Sequence, residues 1–373
     1  MIRFPTALNE ILNRMDHFDP IGYSSSRNYT DGGVSYLSPY ISRGVLSTRF
    51  VAEYILKGKA TEWKRSLKFI QELAWRDYFQ RVWQEKIKLD TDLRFRQEKA
   101  ENEGIPKAIC NASTGIIAID KAIEEFYQTG YLHNHVRMYI ASIAANIGHY
   151  HWLEPARWMY YHLLDADWGS NALNWQWVAG TFSHKKYYAN QANINTYTKS
   201  FQTGTFLDTS YDLLPEIEIP GVLTEKKKYT LEFQTPTFPA PEIDPEKAIL
   251  IYNFYNIDPY WHSREKMNRV LLIEPSFFMK YPVSEKVFDF FIELSSNIAN
   301  IQFYTGEFSE LQNTYSQSNF IYKEHPVNAH YKGTAEERDW LFPSVTGYHK
   351  SFSAYWKNCQ KEIPSFIHTL MQS

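Results

Sequence analysis

Apolar side chains recur at helical spacing through the first two hundred residues, and no strand-like alternation competes with them. In the run 61–86, Leu67, Ile70 and Ala74 repeat every three or four positions. The predicted helices lie at 38–56, in two pieces of which the second starts near Ser47, at 61–86, at 115–128, at 134–149, and from about Pro155 to Leu164.

The pattern changes at about residue 246. Short runs rich in β-branched and aromatic residues lie at 248–254, 269–275, 300–306 and 319–325, and an amphipathic helix is predicted at 284–298. Strand, helix and strand with short joints predict a parallel sheet of the α/β class.

Between the two patterns, the chain is rich in Pro, Glu and Lys, which indicates a connector that could contain one short strand. We therefore predict an α-helical domain over 1–206, a connector over 207–245 and a smaller parallel α/β domain over 246–373.

Composition excludes several classes of protein. Cys110 and Cys359, the two cysteines, are far apart, which excludes a disulfide framework and a cysteine-ligated cluster and fits a reducing compartment. The N-terminus has no long apolar run, and no stretch of about 18 apolar residues occurs. We therefore expect a soluble cytoplasmic protein with no membrane partner.

Charge is distributed unevenly along the chain, whose net charge is −3. Residues 1–205 contain 24 basic and 20 acidic residues, or +4, and the remainder contains 15 and 22, or −7. A surface that binds nucleic acid is therefore expected on the first part, although an ordinary solvated surface produces the same asymmetry.

One face of the predicted helix 61–86 combines three side chains suited to a flat ligand. Glu72, Trp75 and Arg76 lie at positions i, i+3 and i+4 and share that face. The indole could stack on a planar ring while the charged groups hold its polar edge. The alternative is an ion pair between Glu72 and Arg76 beside a core tryptophan.

The segment DADWGSNALNWQWVAG, residues 165–180, places two aspartates and three tryptophans among carboxamides. Such a mixture suits a planar redox ligand. For Asp165 and Asp167, helix capping and a glycosidase pair are the alternatives. Upstream, Asn134 and Arg137 could contact the same ring, whereas the histidines flanking Asn134 point to different sides of a helix, so we predict no metal site.

Three segments carry a resemblance to a known family. TG at 114–115, TGYLHNHVRM at 129–138 and LLDADWGSNALNWQWVAGT at 163–181 resemble TGYP, TGWMHNRVRM and LLDGDLASNNGNWQWVAG of the DNA photolyase and cryptochrome family. The order and spacing agree as well. The resemblance covers about residues 4–205, and it implies a helical domain that binds FAD.

On the nucleotide side of FAD, the resemblance implies five contacts. Tyr23 would touch the flavin nucleotide, and Ser35, Leu37 and Ser38 would form the loop that cradles the pyrophosphate. Arg76 would pair with the phosphates.

The family's ring contacts carry over to five further residues. Asn134 and Arg137 would lie near the flavin ring, and Asp165 and Asp167 would bind the ribityl chain and the ring edge that carries N1 and N3. Asn171 would face the flavin N5 atom.

A substrate pocket is implied in the same way. Glu72, Trp75 and Trp177 resemble the carboxylate and the two indoles that receive a pyrimidine dimer flipped out of damaged DNA. Stacking on the indoles would offset part of the cost of unstacking the bases.

Trp175 and Trp152 resemble the proximal and middle members of the family's electron-transfer chain. A third tryptophan would fall near Lys99, where none occurs. Two other positions also depart from the family: Val34 replaces a threonine of the pyrophosphate loop, and Ile109 replaces a tryptophan before the TG motif.

The order of the predicted domains suggests a permuted family member, because the family's α/β domain precedes its flavin domain. The first hypothesis for function is light-driven repair of pyrimidine dimers in DNA by an FAD-containing photolyase-like protein. A blue-light photoreceptor of the cryptochrome type, which signals to a partner protein, is the second. A flavin-dependent reductase without a link to DNA is the third.

Overall fold

A computed structural model describes residues 2–57 and 60–372. Its α-helices are α1 (Leu8–Asp16), α2 (Pro20–Ser26), α3 (Ser38–Ser42), α4 (Thr48–Leu56), α5 (Leu67–Lys86), α6 (Lys107–Cys110), α7 (Ile117–Thr129), α8 (Asn134–Ser142), α9 (Leu153–His162), α10 (Trp168–Ala179), α11 (Gln191–Thr198), α12 (Pro275–Lys280), α13 (Glu285–Ser295), α14 (Phe308–Thr314) and α15 (Phe352–Gln372). The strands are β1 (Ile105–Pro106), β2 (Lys226–Lys227), β3 (Ile249–Tyr252), β4 (Asn268–Ile273), β5 (Ile301–Thr305), β6 (Phe320–Lys323) and β7 (Thr334–Glu336). Among these residues, no helix is both long and apolar enough to cross a membrane.

The described residues form two compact units, and each is discontinuous in sequence. The helical unit comprises residues up to 3, 22–34 and 88–231. The sheet unit comprises 4–21, 35–87 and the residues from 232 onwards. The sequence predicted continuous domains with boundaries at 206 and 245. The two units are discontinuous, so they do not test these boundaries, which stay a prediction.

Helices α8, α9 and α10 pack against one another in the helical unit. Helix α10 begins after Asp167, whose side chain accepts a hydrogen bond from the Ser170 backbone N–H, and it ends at Gly180 in the left-handed conformation (φ 82°). Helix α8 continues into a π-helical turn at Ile143–Ile147, all of it buried. These helices bury three of their tryptophans (Trp158, Trp168 and Trp175) and two carboxamides (Asn171 and Gln176) inside the unit.

In the sheet unit, a capping residue separates two of the predicted helical pieces. Ser47 is the N-cap of α4, and its hydroxyl accepts a hydrogen bond from the Phe50 backbone N–H at 2.9 Å. The break predicted near Ser47 is therefore confirmed. The predicted helix 61–86 consists of a 3-10 turn (Ala60–Ser66) followed by α5.

The C-terminal sheet is parallel throughout, and its strand order is β5-β4-β3-β6-β7. All four predicted strands occur. The fifth, β7, escapes an apolar-pattern search because it is a three-residue edge strand that is mostly exposed. The predicted class, helical elements followed by a parallel α/β sheet, is confirmed.

Both faces of the sheet are covered. On one face, Ile249, Ile251, Val270 and Leu272 pack against Phe308 of α14. The alternating residues of β3 and β4 that point to the other face are equally buried. A strand that is apolar on both faces is typical of a parallel sheet with helices on each side.

Gly44, between α3 and α4, provides a test of this packing. Its φ is +73°, and a Cβ atom there would lie 2.6 Å from the backbone oxygen of Tyr255. We expect Gly44→Ala to lower the free energy of unfolding by at least about 2 kcal/mol, since left-handed strain and a backbone clash add together. Gly347→Ala is the control, because Gly347 has a φ of +76° but nothing within 4 Å of its Cβ position. Urea denaturation should separate the two variants, and equal losses would contradict the clash.

Candidate functional site

An ion pair inside the helical unit joins two of the predicted site residues. The Nη2 atom of Arg137, on α8, donates to both carboxylate oxygens of Asp165 at 3.1 and 2.9 Å. The Nε atom of Arg137 donates to the Leu132 carbonyl at 2.8 Å, which fixes the guanidinium plane. The Asp165 side chain is 7% exposed and that of Arg137 21% exposed. The pair therefore supplies the buried carboxylate with the charged partner that it needs.

Asp167 and Asn171 add two further oxygen-bearing side chains, both buried. Asp167 accepts from the Ser170 backbone N–H at 2.7 Å, so helix capping, the alternative considered for the aspartates, is realised at this residue. Asn171 donates through Nδ2 to the Ala156 carbonyl at 2.8 Å. Within the described chain, no donor reaches its Oδ1 atom. This segment thus brings together carboxylate and carboxamide oxygens, groups that accept from N–H and O–H donors.

Tryptophans lie close to this segment in sequence and are buried in the same unit. Trp152 is fully buried, and its Nε1 donates to Asp92 at 2.7 Å. Trp175 is 2% exposed, and its Nε1 finds no acceptor among the described residues. Trp177 is only half-buried and tilts against Tyr187 with ring centroids 5.8 Å apart. Of these three predicted tryptophans, Trp152 and Trp175 are therefore enclosed in the helical unit, and Trp177 is partly accessible.

The start of α8 combines an exposed carboxamide with a buried histidine. Asn134, the first residue of α8, is exposed. His133 precedes it as the N-cap, and its ring accepts from the His135 backbone N–H at 3.2 Å. Burial lowers the pKa of His133 to about 4, and the positive charges of His135 and Arg137 act in the same direction. The ring is therefore neutral at physiological pH.

In the sheet unit, α5 carries the predicted face of Glu72, Trp75 and Arg76, each half-buried. Glu72 pairs with Lys68 one turn earlier at 2.9 Å. Trp75 stacks on Phe352 of α15, with ring centroids 3.6 Å apart and planes 11° from parallel. One face of the indole proposed for lesion stacking is thus covered by the chain's own last helix. Arg76 donates to the Ile41 carbonyl at 3.4 Å.

The residues predicted on the nucleotide side of FAD belong to different units. Tyr23 is half-buried in the helical unit. In the sheet unit, Leu37 is buried and donates through its backbone N–H to the Ser35 hydroxyl at 3.4 Å, and Ser38 is the first residue of α3. The role of each residue toward a nucleotide stays a prediction.

The sequence did not predict the ion pair between Arg137 and Asp165, because no sequence pattern connects residues that are 28 positions apart. It also missed polar residues that follow the parallel strands, including Asn256 and His325. Their position after buried strands was the available signal. Over residues 2–57 and 60–372, no group of three or more His, Cys, Asp or Glu side chains could hold a metal ion.

Comparison with known families matches residues 69–219 to the FAD binding domain of DNA photolyase. This range includes the acidic segment 165–171 and the face of α5 described above. Residues 69–219 are therefore similar to a domain of the photolyase and cryptochrome family. Together with the C-terminal parallel sheet, this domain fits the permuted arrangement that the sequence suggested.

Within the aligned segments, individual relatives are about one third identical in sequence to this chain. The deoxyribodipyrimidine photo-lyase of Vibrio cholerae is 32% identical over 157 residues, which cover 40% of this chain and 33% of that protein. Cryptochrome DASH of Ostreococcus tauri is 31% identical over 209 residues, which cover 52% and 37%. The chain therefore spans 33% and 37% of the lengths of these relatives.

A solved structure of a class III photolyase from Agrobacterium tumefaciens is 28% identical, with a TM-score of 0.40. It aligns with 46% of this chain, and the alignment covers 38% of that protein.

The residues present fit the cofactor of the matched domain. A flavin ring carries an N3–H donor and its ribityl chain carries hydroxyl groups, and both require acceptors. Asp165, Asp167 and Asn171 provide carboxylate and carboxamide oxygens on largely buried side chains within seven residues. Arg137 stabilises the negative charge of Asp165 through hydrogen bonds to both carboxylate oxygens.

Proposed function

We propose that this chain is an FAD-containing photolyase-like protein that repairs pyrimidine dimers in DNA by light-driven electron transfer. The observation that carries the proposal is the buried group of Asp165, Asp167 and Asn171 within a domain matched to the FAD binding domain of DNA photolyase. A structural core does not require two buried carboxylates and a carboxamide with an open acceptor atom.

In this proposal, the helical unit would hold the flavin ring. Asp165 and Asp167 would accept from the ring edge and the ribityl chain, Asn171 would face N5, and Asn134 and Arg137 would lie beside the ring. When bound, FAD supplies the light-driven electron transfer, and the protein supplies binding and orientation.

The nucleotide part of the cofactor is assigned to five further residues. Tyr23 contacts the nucleotide, Ser35, Leu37 and Ser38 form the pyrophosphate loop, and Arg76 pairs with the phosphates. The hydroxyl and guanidinium groups of this set match the donors that a pyrophosphate requires.

The lesion is assigned to Glu72, Trp75 and Trp177. Both indoles are half-buried, although Phe352 covers one face of Trp75, and the Glu72 carboxylate can accept from a pyrimidine N3–H. DNA that contains pyrimidine dimers is accordingly the proposed substrate.

Electron supply to the flavin is assigned to Trp175 and Trp152, both enclosed in the helical unit. Their burial limits reorganisation of water around a charged indole. We expect each Trp→Phe change to slow photoreduction of bound FAD by external reductant without lowering flavin content.

The test of repair is a dimer-containing oligonucleotide illuminated with the protein in its reduced form. The dimers should disappear only in the light. Trp75→Ala should weaken lesion binding by about 1–3 kcal/mol, because stacking on an aromatic contributes that much per base. Trp63→Ala, a half-buried tryptophan of the same unit outside this face, is the matched control.

A second function, a blue-light photoreceptor that signals to a partner protein, is favoured by one observation. Phe352 of α15 already covers one face of Trp75, which leaves only the other face of the indole for a base. If binding of dimer-containing DNA equals that of undamaged DNA both in the wild type and in Phe352→Ala, the repair proposal is wrong and the receptor is preferred. Selective lesion binding that increases in Phe352→Ala supports repair.

A further inference from the structure

A carboxylate lies against one of the enclosed tryptophans of the helical unit. The Nε1 atom of Trp152 donates to the Oδ1 atom of Asp92 at 2.7 Å, and the indole is fully buried. The Asp92 side chain is 19% exposed, so this carboxylate contacts both the buried indole and solvent. A separation of 2.7 Å is typical of a hydrogen bond to an ionised acceptor. The indole N–H of Trp152 therefore has a base in direct contact, and that base is in contact with water.

The buried residue Gln97 holds this carboxylate in place. The Gln97 backbone N–H donates to the Oδ2 atom of Asp92 at 2.8 Å. The Gln97 carboxamide accepts from the Trp152 backbone N–H at 3.0 Å and donates to the Tyr150 carbonyl at 2.8 Å. Because one residue binds both partners, the Oδ1 atom of Asp92 stays aligned with the indole N–H.

His151 is a second titratable side chain at this carboxylate. Its Nε2 atom lies 3.5 Å from the Oδ1 atom of Asp92. Its Nδ1 atom accepts from the Leu153 backbone N–H at 3.3 Å, so the proton of the neutral ring is on Nε2. The imidazole therefore faces the carboxylate with an N–H group, and it does not compete with Asp92 for the indole proton.

Two other buried tryptophans of the helical unit show no such base. Trp158 donates through Nε1 to the hydroxyl of Tyr127 at 3.1 Å. Burial raises the pKa of Tyr127 above its usual value, so this hydroxyl is neutral and accepts a proton poorly. The Nε1 atom of Trp175 finds no acceptor among the described residues. The carboxylate therefore gives Trp152 a property that these two indoles do not share.

This property matters when Trp152 gives up an electron. In the proposed function, Trp152 and Trp175 supply electrons to the photoexcited flavin, and the sequence has Lys99 where a third tryptophan of the chain would fall. The positive charge then resides on an indole that is fully buried, where an unpaired charge is unfavourable. Loss of an electron also makes the indole N–H strongly acidic. A base at the Nε1 atom can remove the charge by accepting the proton.

We propose that Asp92 is the proton acceptor of Trp152 during light-driven electron supply. When an electron leaves Trp152 for the flavin, the Nε1–H bond breaks and the proton forms an O–H bond with the Oδ1 atom of Asp92. The products are a neutral tryptophan radical and a neutral carboxylic acid, so no unpaired charge stays buried. Return of the electron then requires return of the proton, which slows charge recombination.

The cycle closes in solution. Asp92 releases its proton to water, and a thiol reductant restores Trp152 by supplying one electron and one proton. The inference deepens the proposed function, and it rests on the electron supply assigned there to Trp152 and Trp175.

The test is transient absorption after a blue flash on the flavin-loaded protein. The tryptophan radical cation and the neutral radical absorb at different visible wavelengths, so the protonation state of the radical is observed directly. The difference between the wild type and Trp152→Phe isolates the radical at Trp152. This spectroscopic signal is independent of repair activity.

Asp92→Asn is the decisive variant. Its carboxamide oxygen still accepts from the indole N–H, but it does not take the proton, so a purely structural role would leave the signal unchanged. We expect the neutral radical to form about 100-fold more slowly or less, since a positioned base contributes at least that factor. Asp90→Asn is the matched control, because Asp90 lies in the same loop and pairs with Arg157 at 3.9 Å. It should form the radical as fast as the wild type.

A measurement on the wild type alone decides the question if Asp92→Asn does not fold. Proton transfer within the 2.7 Å hydrogen bond is independent of buffer concentration, whereas transfer to a base in solution becomes faster as buffer is added. We therefore expect a constant rate as imidazole buffer is raised at fixed pH and ionic strength. A rate that rises with buffer, or equal rates in the wild type and Asp92→Asn, would overturn the inference.

A second arm of the experiment needs no flavin. An ultraviolet flash ejects electrons from indoles directly, and subtraction of the Trp152→Phe signal again isolates Trp152. The same slowing is expected in Asp92→Asn, and absence of a Trp152 radical in both arms would overturn the inference. Failure of flavin binding or of dimer repair contradicts the proposed function but leaves this arm readable, so the two failures remain distinguishable.

Discussion

Asp165→Ala should yield protein that is largely free of flavin. The change removes a buried acceptor oxygen proposed for the flavin ring and leaves Arg137 without the carboxylate that it binds at 2.9 Å. We expect flavin content to fall about 10-fold or more, and the free energy of unfolding to fall by about 3–5 kcal/mol, since breaking one side of a buried ion pair leaves an uncompensated charge. The ratio of flavin to protein absorbance measures the first effect, and urea denaturation measures the second.

Further variants separate loss of the cofactor from loss of stability. Adding Arg137→Met to Asp165→Ala removes the stranded charge and should recover part of the stability without recovering flavin. Asp167→Ala should lower flavin content as well, and the loss of its cap on α10 should cost about 1 kcal/mol. Asp212→Ala, an exposed aspartate of the same unit, is the control. Full flavin content in both Asp165→Ala and Asp167→Ala would remove the assignment of this site.

The pattern of apolar residues predicted best those helices and strands that bury either one face or all of their side chains. Strands β3 and β4 are buried on both faces and read as continuous apolar runs. Strand β7 has the sequence TAE and is held by pairing with β6, so its existence depends on a neighbour rather than on its own residues. Tertiary pairing of this kind leaves no local pattern.

The candidate site also has parts that the local sequence predicts and parts that depend on contacts between distant residues. The two aspartates and the asparagine of 165–171 can be recognised in the sequence, because polar residues are unusual within a segment that is otherwise apolar and buried. The stacking of Trp75 on Phe352 joins residues 277 positions apart, and no spacing rule connects them.

Acid should destabilise the helical unit through His133, whose pKa falls to about 4 in the folded protein because it is buried beside His135 and Arg137. Below the usual histidine pKa of about 6.5, the unfolded chain binds a proton at this position and the folded chain does not. Stability is therefore lost as the pH falls from about 6.5 to about 4, at up to about 1.4 kcal/mol per pH unit. His325, whose pKa is also lowered by burial, acts in the same direction in the sheet unit.

His133→Asn isolates this contribution. Asparagine keeps an acceptor for the N-cap of α8, where His133 accepts from the His135 backbone N–H, but it does not titrate. Between pH 7 and pH 4.5, the wild type should lose about 2–3 kcal/mol more unfolding free energy than the variant, as measured by urea denaturation at each pH. His368→Asn, an exposed histidine on α15, should follow the wild type. Parallel pH curves for the wild type and His133→Asn would mean that the folded protein accepts a proton on His133 as readily as the unfolded chain does.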